Sequence, residues 1–157
     1  MDFVHVELKR DTWSKPAKYV KSPEEAVAEI KKMIENLDRE ILISLQLACS
    51  GEVINASICS VGSVDGVCVF VGGIVRTALL SGASSVILIH NHPSGSPRAS
   101  KADWKVTKRL ALACKIFNLE LLDHIIIGAN DQKISLKEDY KELFDVSITE
   151  LKELMTE

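Results

Sequence analysis

The chain of 157 residues has the length of one ordinary domain, enough to bury roughly two-thirds of the surface its unfolded form would expose. Its 46% hydrophobic and 26% charged residues, with only four prolines, exclude a disordered or fibrous protein. A net charge of -3 and a pI near 5.8 exclude a globally basic nucleic-acid binder. No apolar run approaches the roughly 18 residues of a membrane span, and Met1 to Arg10 lacks the apolar core of a signal peptide. A soluble, cytoplasmic protein is expected, with the cysteines at 49, 59, 68 and 114 reduced and mostly buried, since no two form a C-x-x-C pair.

In chain order, Val4, Val6 and Leu8 alternate as in a short strand over 3–9, and 11–21 is a polar connection containing Pro16. Ser22-Pro23-Glu24-Glu25 supplies an N-cap, a first-turn proline and a capping-box glutamate. The helix this predicts over 23–36 turns Ala26, Val27, Ile30, Met33, Ile34 and Leu37 inward. Residues 40–48 alternate, with Ile41, Ile43, Leu45 and Leu47 on one face and Glu40, Leu42, Ser44 and Gln46 on the other. A turn at 50–52 and a strand over 53–61 complete an antiparallel hairpin.

A helix over 72–82 follows, with Ile74, Ala78 and Leu79 inward and Gly82 as its stop. Residues 85–89 read as a buried central strand that opens at His90 into a loop rich in Pro, Gly and Ser over 90–97. A helix over 100–117 presents Val106, Leu110, Ala113 and Phe117 to the core, and strands are expected over 119–127 and 134–136. The tail, 137–157, carries two short amphipathic pieces, the second opened by Ser147-Ile148-Thr149-Glu150. Alternating helices and strands with an early hairpin imply an α/β protein whose mixed sheet is covered by helices on both faces. Residues 1–21 are expected to form an N-terminal strand and connection, 22–140 the domain, and 141–157 a C-terminal helical tail.

The chemistry sits after the central strand. Histidines at i and i+2 of an extended backbone project to the same side, with Cα atoms about 6–7 Å apart, so His90 and His92 can converge on one ion. Asp103 lies eleven residues beyond His92, in the first turn of the next helix, where its carboxylate can fold back to the same point. Catalytic zinc commonly has three protein ligands and a fourth position for water, whereas structural zinc takes four and prefers cysteine. Water on such a zinc has a pKa near 7 and becomes a nucleophile once a carboxylate takes its proton.

His90-x-His92, seven residues, Ser100, two residues and Asp103 together match the JAMM motif, and the chain resembles the JAB/MPN family. Glu40, after Asp38-Arg39, stands where that family has its upstream glutamate. The resemblance is nearer to the RadC-like bacterial branch, carried by Asp38-Arg39-Glu40, by His90-Asn91-His92-Pro93-Ser94-Gly95 and by Leu122-Asp123-His124-Ile125-Ile126, and it covers roughly residues 22–140. It implies a cytidine-deaminase-like JAB fold and hydrolysis of a peptide or isopeptide bond in a peptide or protein substrate. One zinc ion per chain would be held by His90, His92 and Asp103, with Glu40 as general base and Ser100 stabilising the tetrahedral intermediate. Many members carry Pro-Arg-Glu where this chain has Phe70-Val71-Gly72-Gly73, which implies a different lining there. No helix-hairpin-helix-like segment is read ahead of the domain, so the family's association with DNA repair is not expected to carry over.

Taken singly, the parts have plainer readings. Ser100-x-x-Asp103 is also a helix capping box, His90 and His92 could be polar loop histidines, and Glu40 a surface carboxylate beside a lysine. Together the four positions specify a metal site. His124, within an apolar strand, reads as a core histidine satisfied by neighbours before a fourth ligand, and Asp123 as a residue that could orient a ligand histidine from behind. Arg98, Lys101, Lys105 and Lys108 fit a solvated helix face before a nucleic-acid stripe; Trp104 could wall the site or cover the core. Base deamination is disfavoured, because neither H-x-E nor P-C-x-x-C is present. A rival from another class is a non-catalytic DNA-repair-associated or protein-binding module on the same fold.

Overall fold

The structure, a computed structural model, describes residues 19–34, 37–62 and 69–147, together with positions 3, 7 and 9. The strand expected over 3–9 lies almost wholly outside the described residues, as do Cys68 and the second tail piece beyond Ser147.

The first helix, α1, is Pro23–Ile34. Ser22 Oγ accepts from Glu25 N–H, while the Glu25 carboxylate reaches one residue further back than a reciprocal box requires, to Lys21 N–H at 2.7 Å. Its spacing of Ala26, Ile30 and Ile34 puts these three side chains against the sheet, whereas Met33 lies outside at 41% exposure. Strands β1, Ile41–Leu47, and β2, Val53–Val61, form the expected antiparallel hairpin around Gly51, whose φ of 83° a side-chain-bearing residue rarely adopts.

Helix α2, Val71–Leu80, leads through a turn at Gly82 to β3, Ser85–Asn91, all seven residues of which are buried. Then come α3, Lys101–Ile116, and β4, Glu120–Ile127, followed by the short β5, Lys133–Ser135, and α4, Leu136–Asp139. The sheet order is β2-β1-β3-β4-β5, with β3 antiparallel to β1 and parallel to β4. Helix α1 covers the face bearing Ile43, Leu45, Ile87, Ile89, Ile125 and Ile127. On the other face α2 and α3 pack over Leu42, Val86, Leu88 and Leu121. The mixed sheet with helices on both faces is therefore as the periodicities imply.

Besides Met33, two expected core positions are corrected. Leu79 is 46% and Phe117 51% exposed. The buried stripe of α2 is Val71, Ile74, Val75 and Ala78, which leaves Leu79 a quarter-turn off the contact, and Phe117 lies past the end of α3, where the backbone has left the helix. Of the described cysteines, Cys114 is buried and Cys59 half-buried, whereas Cys49 is exposed in the hairpin turn. Past α4, a single 3-10 turn at Lys141–Leu143 and then Val146 return to the core, and Lys115 Nζ donates to Val146 O at 2.7 Å.

Candidate metal centre

Strand β3 runs two residues further than its composition suggests. His90 and Asn91 belong to the strand, not to the loop expected to open there, because His90 is paired with Leu42 of β1 and Ile126 of β4. The ladder even reaches His92, whose N–H donates to Ile127 O at 2.8 Å. The alternation of an extended backbone therefore throws both histidines to one side, with ring centroids 4.8 Å apart. Asp103, in the first turn of α3, brings Oδ1 to 3.3 Å from His90 Nε2 and Oδ2 to 3.7 Å from His92 Nε2. Glu40 lies just before β1, the strand antiparallel to β3, and its Oε1 is 3.5 Å from His90 Nε2. One ligand atom from each of Glu40, His90, His92 and Asp103 lies within 4.8 Å of all the others.

Hydrogen-bond partners set the direction of every ring nitrogen. His92 Nδ1 is 2.8 Å from Ser96 O, which can only accept, so this nitrogen carries the proton and Nε2 keeps its lone pair. Behind His90, the Thr107 hydroxyl donates to Asp103 O at 2.7 Å and so can only accept from His124 Nδ1, also at 2.7 Å. His124 Nε2 is then the acceptor for His90 Nδ1–H at 2.9 Å, which leaves the lone pair of His90 Nε2 facing His92 Nε2, again at 2.9 Å. Two facing lone pairs beside two carboxylates repel one another unless a cation lies among them. The donor set thus fits a divalent metal with nitrogen and oxygen ligands.

The electrostatics agree. Burial opposes ionisation of Asp103, but a positive charge on its His90 side and the two bonds from Ser100 outweigh that and hold its carboxyl well below the usual range; with the His90 lone pair facing it, a metal ion would supply that charge. His124 is held neutral, first of all by its complete burial. Ser100 caps α3: its hydroxyl donates to Asp103 Oδ2 at 2.7 Å and accepts from Asp103 N–H, and its own N–H donates to the same Oδ2. The capping box and the ligand position are therefore one arrangement, in which the cap aims the carboxylate.

The structure brings Glu40, His90, His92, Ser100 and Asp103 together and places His124 directly behind them as a satisfied core histidine. Asp123 is different. A register shift after Val86 puts it opposite Ile87, on the α1 face, where it accepts from Ser135 Oγ, His124 N–H and Lys137 N–H. It orients no histidine ring, since neighbours along a strand point to opposite faces. Trp104 packs on Tyr140 at 5.3 Å between ring centroids, at the rim of the small core around Ile126, Leu136 and Leu143. Arg98, Lys101 and Lys105 are exposed and Lys108 is half-exposed.

Three supporting residues escaped the reading of the sequence. Asn91 brackets Glu40, accepting from Ile41 N–H at 2.9 Å and donating to Arg39 O at 3.0 Å. Thr107 anchors the chain behind His90; its signal was a polar residue at i+4 from Asp103 in the buried stripe of α3. Gly128 lets the loop after His92 fold onto the end of β4, since a Cβ there would collide with Gly95 O and stand 2.8 Å from Pro97 Cδ.

A family profile described as a RadC-like JAB domain matches residues 20–142. Among curated proteins, the chain is 38% identical over 120 residues to a UPF0758 protein of Geobacillus sp. (strain WCH70), covering 76% of this chain and 52% of that one. A UPF0758 protein of Shouchella clausii is 40% identical over 119 residues, covering 76% and 51%. One from Methanosarcina acetivorans is 33% identical over 124 residues, covering 79% and 54%. The chain spans about half the length of these relatives. With the fold, the four converging side chains and the profile in agreement, the chain belongs to the RadC-like JAB domain family.

Proposed function

We propose that this domain is a zinc-dependent hydrolase that cleaves a peptide or isopeptide bond in a peptide or protein substrate. The observation that carries this reading is the convergence of two imidazole lone pairs and two carboxylates in one place, with both Nδ1 atoms already committed elsewhere. His90, His92 and Asp103 would hold the ion. Bound there, zinc would supply a Lewis acid that acidifies water and polarises the scissile carbonyl. Its three-ligand N/O set is the open kind used in catalysis, although iron, cobalt or nickel would also be accepted.

The other steps belong to the chain. Glu40 takes the proton of the attacking water and delivers it to the leaving nitrogen, a role suited to a carboxylate 3.5 Å from His90 Nε2 that Asn91 holds in place through its backbone. Ser100 is assigned the oxyanion donor, for which its hydroxyl must turn from Asp103 Oδ2 toward substrate. A cytoplasmic setting is proposed for such a substrate; no helix among the described residues is long and apolar enough to cross a membrane.

The first test is elemental analysis of untagged protein: about one zinc per chain in the parent, and none in His90→Ala or Asp103→Ala. Against a peptide library, Glu40→Gln should then lose hydrolysis by roughly 10²–10⁴-fold while retaining zinc. Undiminished activity in that variant excludes Glu40 as the base. Zinc uptake without turnover on any peptide favours a non-catalytic binding module.

A further inference from the structure

We propose that Thr107, acting through His124, sets the tautomer of His90 and thereby keeps the His90 Nε2 lone pair directed into the metal centre. The inference deepens the metal-centre reading, on which it rests for what that lone pair meets.

Three hydrogen bonds form one buried chain behind His90. Thr107 is 0% and His124 1% exposed, so no water can take the place of either partner. The Thr107 hydroxyl proton goes to Asp103 O, four residues back on α3, and the oxygen has only lone pairs left for His124 Nδ1. His124 must then donate from Nδ1 and accept at Nε2, and His90 must donate from Nδ1. The chain closes between two metal ligands, from the ring of His90 to the backbone of Asp103. Remove the hydroxyl and nothing fixes the polarity: His124 is free to donate from Nε2, which turns His90 Nδ1 into an acceptor and puts a proton on Nε2, where a metal must bind. Thr107 and His124 are thus positioning residues and touch no substrate.

The test compares the parent with Thr107→Val, which keeps the shape and removes the hydroxyl, and Thr107→Ser, which restores it. Ring ¹⁵N NMR of the metal-free proteins above neutral pH reads which nitrogen of His90 carries the proton, and competition with a chromophoric chelator reads zinc affinity. Parent and Thr107→Ser should show His90 protonated on Nδ1. Thr107→Val should lose that signature and bind zinc roughly 10–100-fold more weakly. If Thr107→Val does not fold, Thr107→Ala is read in the same way. A hydroxyl-less variant that keeps the parent's His90 tautomer, or binds zinc as tightly as a zinc-binding parent, overturns the proposal. A parent that takes up no zinc defeats the metal reading instead, and the ring spectra alone then decide the role of Thr107.

Discussion

Asn91 shows how much of the centre depends on groups that never touch a ligand. Glu40 sits just before the first residue of β1, where the ladder to β3 has run out, and the Asn91 side chain continues the pairing on both sides of it. Asn91→Ala leaves the Ile41 N–H unsatisfied, at about 1–3 kcal/mol, and frees the backbone that aims the carboxylate. Steady-state kinetics at saturating zinc should show a lowered kcat with zinc content unchanged; a parent-like kcat removes the positioning role. In the sequence Asn91 was only the middle letter between two histidines. Its partners, Arg39 and Ile41, are about fifty residues away, so no local pattern could have revealed them.

At the scale of elements, the centre is a junction of three ends: the start of β1, the end of β3 and the first turn of α3. Each end is tied down differently, by Asn91, by the extra ladder step from His92 N–H to Ile127 O, and by the Ser100–Asp103 cap. The loop after His92 is closed by Ala129 N–H donating to Gly95 O at 2.8 Å, an approach that requires Gly128 to lack a side chain. Gly128→Ala should therefore cost about 1–3 kcal/mol by overpacking, and the loop that yields should be the one carrying His92. Thermal melts of the metal-free protein together with zinc titration check this; a lowered Tm with intact zinc affinity would show that the strain is absorbed elsewhere. The helices and strands themselves were legible from periodicity and caps, as with Ala26, Ile30 and Ile34 of α1. Met33 and Leu79 were misplaced because the stripe a helix buries is chosen by its neighbour as well as by its own spacing, and Phe117 because the helix ends before it.

Over the whole molecule, the candidate ligands come from the end of the central strand of the sheet and from a helix packed on it, so metal binding at this site would be linked to folding. Zinc at 100 times its Kd would add about 2.7 kcal/mol, or several degrees in Tm for a domain of this size. Chelation should lower the Tm of the parent by that amount and leave His90→Ala unmoved; equal shifts in both would place the ion elsewhere. The sequence alone determined the kinds of side chain that could act as ligands and their local spacing, because His90-x-His92 on an extended backbone and Ser100-x-x-Asp103 at a helix start are short-range geometries with few outcomes. It also determined most of the layered α/β plan, since periods of 2 and 3.6 residues are local properties. Only the tertiary structure decided which partners those side chains meet. A one-residue register shift sends Asp123 to the α1 face and His124 to the metal face, and the contact between His124 and Thr107 joins two elements whose approach no local period encodes. The polarity of the His90 ring follows from that contact, so whether its lone pair faces the centre is settled by packing, not by spacing.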